Sequence, residues 1–128
     1  ISVELTYGLE RIASFLNDTD SVFNLEWNNQ YSYKDLRKRE EYEFSKYSFD
    51  VANKDALFEM FNLFEKECQR ALAASCVLPA YDYCLKCSHT FNLLDCRGAI
   101  SVTERVDLIT RVRCLAVSVA EGYLEETT

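Results

Sequence analysis

Polar and apolar residues alternate only near the N-terminus of this chain; beyond it, apolar residues recur at helical spacing almost to the end. Val3, Leu5 and Tyr7 share one face of a predicted strand, and Ser2, Glu4 and Thr6 share the other. Gly8 breaks the alternation, and Leu9, Ile12, Ala13 and Leu16 then predict a helix that packs one face inward. Two further alternating arms, Ser21 to Trp27 and Tyr31 to Tyr33, flank the turn-like Asn28-Asn29-Gln30 and predict a short β-hairpin.

Four helical patterns follow. Lys34 to about Tyr47 is densely charged. Asn53 or Asp55 can cap a helix whose apolar stripe is Leu57, Met60, Phe61, Phe64, Cys68, Ala71 and Leu72. Pro79 suits the first turn of a helix running to Leu94, and Gly98 ends or breaks it. Ser101-Val102-Thr103-Glu104 reads as a capping box. The helix after it is expected to bury Val102, Val106, Ile109, Val112, Ala116 and Val119 and to reach about Glu121. The last residues, from Leu124, are expected to fray or lead into a further domain.

Composition narrows the classes. With 128 residues, 48% hydrophobic content and 13% aromatics, the chain can form the core of one domain or part of one. One proline and three glycines favour long helices. A net charge of −7 argues against a generally basic nucleic-acid surface. No apolar run approaches membrane-spanning length. The start at Ile1 is read as a cut from a longer chain. The run Arg37-Lys38-Arg39-Glu40-Glu41 reads as a solvated face, because acids directly follow the bases.

Six cysteines raise zinc, disulfide and redox readings. Cys84 and Cys87 form a C-x-x-C with His89 and Cys96 nearby. On one helix at about 100° per residue, His89 lies roughly 200° from Cys87, and Cys96 about 180° from it. The four cannot meet one ion without unwinding the helix, so packing as small hydrophobes is preferred. No metal site is expected.

Candidate chemistry concentrates in the first eleven residues. Glu4 and Thr6 share the polar face of the strand. Gly8 permits an unusual backbone angle or a close ligand approach. Arg11 stands off the apolar stripe near the helix start, where backbone N–H groups and the helix dipole also favour anions. The plain alternative is an amphipathic strand and helix with a solvated Glu10-Arg11 pair.

The whole chain resembles the C-terminal part of the α subunit of bacterial-type, heterotetrameric glycyl-tRNA synthetase, a class II enzyme. The resemblance rests on Glu4-Leu5-Thr6-Tyr7-Gly8-Leu9-Glu10-Arg11, Asp20 to Trp27, Glu43 to Phe49, Leu78 to Tyr81 and, most specifically, His89 to Arg105, in this order and spacing. It identifies residues 3–11 with the class II motif 3. The general pattern has additional glycines before the arginine; here Thr6 and Glu10 stand at those positions. The resemblance implies that Arg11 contacts ATP, with Gly8 and Glu10 beside it. It implies that Glu4 and Thr6 line a glycine pocket. The implied reaction joins glycine and ATP into glycyl-adenylate and pyrophosphate, with Mg2+ accompanying ATP, and then passes the glycyl group to glycine tRNA.

The expected fold is mainly α: a bundle of about four to five helices preceded by a strand-to-helix corner and a short hairpin, part of a larger α+β catalytic subunit. Residues 1–18 would be the catalytic remnant, 19–33 a hairpin connection, and 34–128 a helical domain. The resemblance further implies a cytoplasmic enzyme built on an α dimer with a β partner, separate or fused, with no membrane contact and no activity in this piece alone. The competing reading is an acidic helical module that only binds a protein.

Overall fold

The computed structural model describes residues 3–126. Ser2, expected on the polar strand face, and Thr127 and Thr128 lie outside them. The chain forms two compact units that meet in sequence between Lys46 and Tyr47. The described residues are mainly helical with one short antiparallel hairpin, as expected.

In the first unit, α1 (Leu9–Leu16) is followed by a single 3₁₀ turn (Val22–Asn24), the pair β1 (Glu26–Asn28) and β2 (Tyr31–Ser32), and α2 (Tyr33–Lys46). The 3₁₀ turn takes Val22–Asn24 out of the first expected hairpin arm, of which Glu26 and Trp27 remain in a strand. The hairpin turn itself forms as read: Asn28 Oδ1 accepts from the N–H groups of Gln30 and Tyr31, both at 2.9 Å. Asp35 accepts from the Ser32 N–H at 2.8 Å and from its hydroxyl at 2.7 Å, which fixes the start of α2. The basic run of α2 is a solvated face, with Arg37 paired to Glu40 at 2.6 Å and Arg39 to Glu43 at 2.8 Å.

The second unit opens on a π-helical turn (Tyr47–Val51), closed by the Ala52 N–H on the Tyr47 carbonyl at 2.8 Å. Then come α3 (Lys54–Ala73), α4 (Val77–Cys96) and α5 (Val102–Glu126). Asn53, not Asp55, caps α3, accepting from Ala56 N–H at 2.9 Å. Both α3 and α4 end in paired reverse-turn bonds around a left-handed residue. After α4 that residue is Gly98, at φ 57°, as its type suggests. After α3 it is Ser75, at φ 55°, where no glycine marks the stop. The capping box closes in both directions: Glu104 N–H donates to Ser101 Oγ at 3.2 Å, and Ser101 N–H to the Glu104 carboxylate at 2.7 Å.

The three helices run up, down and up. Cys68 of α3 faces Ala80 of α4, and Phe61 faces Cys87, so the two helices are antiparallel. Arg105 of α5 pairs with Asp95 at 3.1 Å, while a Cβ on Gly122 would meet Val77 at 3.3 Å, so α5 is antiparallel to α4. Thiol-sized side chains lie where α3 and α4 press together: Cys68, Cys84 and Cys87 are all buried in the core. Burial pushes the Cys68 thiol up to about 11 and the Cys87 thiol up to about 12. His89 and Cys96 point to solvent.

Two arginines complete the unit. Arg111 reaches from α5 to α3, where its guanidinium makes two bonds with Glu65, one of 3.0 Å from Nε, and a third with Asn62 at 2.7 Å, above the Phe61 ring. Arg97 donates from Nε to the Ala52 carbonyl at 3.0 Å and from Nη1 to the Phe49 carbonyl at 2.5 Å, holding the π-helical turn. The irregular turn leaves these carbonyls without helical partners, and the guanidinium fork satisfies both.

The buried face of α5 is only partly the expected one. Val119 is buried and Val112 packs on the core as expected, but Leu108 and Leu115 are buried as well, whereas Val102 is 82% and Val106 61% exposed. Apolar residues occupy two adjacent stripes of α5, and hydrophobic spacing alone does not choose between them. The pairs Arg105–Asp95 and Arg111–Glu65 tether the helix at the observed rotation.

Leu108→Ala is expected to cost about 2–5 kcal/mol in denaturant unfolding, while Val106→Ala stays within about 0.5 kcal/mol. Equal effects would reject the observed rotation of α5. Alkylation of the native protein near pH 8, read by mass spectrometry, is expected to modify Cys76, Cys96 and Cys114 and to reach Cys68, Cys84 and Cys87 only on unfolding.

Candidate functional site

Residues 3–8 form no ladder among the described residues, which corrects the expected strand. A strand exists by exchanging backbone hydrogen bonds with a neighbour, and no partner strand is present for this one. Its apolar face is accordingly open, with Val3 85% and Leu5 79% exposed. The period of two survives locally: the Thr6 hydroxyl donates to the Glu4 carboxylate at 2.5 Å, so these two side chains do share a face. The inward packing expected of α1 is also absent. It has no buried residue, and Leu9 and Leu16 are each 75% exposed.

Gly8 is the N-cap of α1, at φ −75° and ψ 108°. Any residue adopts that conformation, so the special backbone angle considered for this glycine is not used. A Cβ added there would meet only Arg11 Cβ, at 3.9 Å. Of the two reasons for a glycine, close approach of another molecule is the one left.

Gly8 lines an open depression of about 580 Å³ with Glu10, Arg11, Ser14, Asp20 and Val22. Three of the residues singled out in the sequence, Gly8, Glu10 and Arg11, therefore face one space. Glu4 and Thr6 do not line it. Asp20 and Ser14 were not anticipated. Ser14 stands one helical turn after Arg11, a signal the sequence carried; Asp20 is delivered by the chain reversal after α1, which leaves no periodic trace. One guanidinium and two carboxylates line this space, so the depression carries mixed charge.

Glu10 also borders a second cavity of about 320 Å³, lined among others by Trp27, Tyr33 and Arg37. There the Tyr33 hydroxyl donates to Glu10 Oε1 at 3.1 Å. Partial burial, this hydrogen bond and the adjacent negative charge all raise the Tyr33 hydroxyl above its ordinary value, so it stays a donor at neutral pH.

A family model described as the glycyl-tRNA synthetase alpha subunit matches residues 1–128. The chain belongs to that family. Its relatives are aminoacyl-tRNA synthetases, ligases of translation, and the alpha subunit serves glycyl-tRNA synthesis beside a partner subunit in bacterial-type enzymes. No helix among the described residues is long and apolar enough to cross a membrane.

Gly8→Ala is expected to leave the thermal midpoint unchanged, since neither the backbone angle nor the surroundings oppose a methyl group. A drop of several degrees would show that the glycine is needed for folding rather than for access.

Proposed function

We propose that residues 3–11 act as the class II motif 3 of a glycyl-tRNA synthetase alpha subunit, with Arg11 holding ATP during glycine activation. The observation that carries this is the shared exposure of Gly8, Glu10 and Arg11 on one depression, in a chain whose full length matches the family. A guanidinium suits the task because it stays charged, grips phosphate oxygens through two donors, and can lie flat on an adenine. In adenylate formation the glycine carboxylate attacks the α-phosphorus, pyrophosphate leaves, and negative charge shifts onto the departing phosphates. A fixed cation there stabilises the transition state more than the ground state.

Mg2+ would enter with ATP. No group of three or more His, Cys, Asp or Glu side chains converges among the described residues. Glu10 and Asp20 offer single carboxylates, which is what an ion held mainly by substrate phosphates and water requires. Glu4 and Thr6 would face glycine: a carboxylate accepts from the substrate ammonium, and threonine occupies room that a larger amino acid would need. Their approach to Arg11 would be completed by the other strands of the catalytic sheet.

The same reading makes the second unit an accessory helical bundle. Arg97 and Arg105 are both engaged within the bundle. The parent enzyme would then be a cytoplasmic alpha dimer that transfers the glycyl group to glycine tRNA with a beta portion. Residues 1–128 would carry no catalysis alone.

Glycine-dependent ATP–pyrophosphate exchange by the full-length parent with its beta portion tests the assignment. Arg11→Ala, verified as folded, is expected to lower exchange about 10²–10³-fold, the scale for removing one fixed donor to developing charge. Undiminished exchange would move ATP binding to other residues.

A further inference from the structure

Arg11 sits on a helix with little to hold it. α1 has eight residues, no buried side chain and no side-chain cap at its N-terminus. Its backbone and its own Asn17 supply only local bonds. A catalytic guanidinium must be held within about 0.5 Å of its productive place, so something outside α1 has to fix it.

Within the first unit, a side-chain hydrogen bond ties α1 to a residue distant in sequence: the Tyr33 hydroxyl donates to Glu10, at 3.1 Å. Tyr33 is well placed to act as the anchor. Its backbone N–H donates to the Leu25 carbonyl at 2.8 Å. Its ring stands 6.4 Å from that of Phe23 and 6.5 Å from that of Trp27, centroid to centroid. The Ser32–Asp35 bonds pin the helix end from which it projects. Both ends of the tyrosine are thus committed, the backbone to the hairpin region and the hydroxyl to α1. Glu10 lines both cavities, facing Tyr33 across one and standing beside Arg11 in the other.

We propose that Tyr33 is a positioning residue for the nucleotide corner, holding Glu10 and through it the first turn of α1 that presents Arg11. This rests on the assignment of Arg11 to ATP. The hydroxyl does no chemistry. It selects one placement of Glu10, and with it the direction in which the neighbouring guanidinium leaves the helix.

Tyr33→Phe keeps both ring contacts and removes only the donor. Glu10→Ala removes the acceptor at an exposed position, and the double variant closes the cycle. In the full-length parent with its beta portion, Tyr33→Phe is expected to lower kcat/KM for ATP about tenfold in pyrophosphate exchange while KM for glycine stays unchanged. In the Glu10→Ala background, Tyr33→Phe is expected to have no further effect. Hydrogen exchange of the α1 amides should quicken in Tyr33→Phe, with α3, α4 and α5 unchanged.

Additive effects of the two substitutions, equal losses for ATP and glycine, or unchanged α1 exchange would each overturn the proposal. So would a Tyr33→Phe protein that no longer folds, since that makes the hydroxyl a folding requirement. Loosened α1 with normal ATP kinetics also overturns it, provided Arg11→Ala abolishes exchange. If Arg11→Ala retains exchange, the assignment of Arg11 to ATP has failed instead, and the α1 amides alone decide whether Tyr33 anchors the helix.

Discussion

Close contact between α3 and α4 is the constraint on which the second unit depends. Their crossing is filled by Phe61, Ala80 and the thiols Cys68 and Cys87, all at most 0% exposed. Interiors packed at crystal-like density tolerate little change in volume, so the small Ala80, Cys68 and Cys87 set how near the helices lie. Everything else in the unit is referred to that pair. α5 lies across it, tethered by Arg105 and Arg111, and the π-helical turn is held to the end of α4 by Arg97.

The cysteines illustrate how chemistry yields to packing. A C-x-x-C beside a histidine invites a metal, yet Cys84 and Cys87 face the core while His89 and Cys96 face away. Apolar surroundings disfavour a thiolate, which raises the thiols of Cys68, Cys84 and Cys87 and removes the form that binds metals or attacks disulfides.

The first unit obeys a different economy. Its candidate site is built on surfaces that its own residues do not cover: the segment before Gly8, both sides of α1, and a depression with mixed charge. Order there comes from few, specific links, such as the Asn28 turn, the Ser32–Asp35 cap and the Tyr33–Glu10 bond. A site of this kind is sensitive to single hydrogen bonds, because α1 itself has no buried residue.

Elements dictated by local chemistry were legible in the residues. The Ser101–Glu104 box, the Asn53 cap, the Gly98 stop and the Asn28 turn each satisfy backbone groups within a few residues of themselves, so local sequence suffices. The cluster of Gly8, Glu10 and Arg11 was legible for the same reason, being adjacent along the chain. Tertiary structure alone decided the rest. Ser75 takes a left-handed turn that its residue type does not announce. α5 carries two apolar stripes, and only its partners select the one with Leu108. Val3 to Tyr7 alternates like a strand but pairs with no neighbour among the described residues. Asp20 and Tyr33 reach the site through folds of the chain that no period records. The division follows from range: a short-range bond is written in the residues that make it, whereas a long-range contact depends on which surfaces the whole chain brings together.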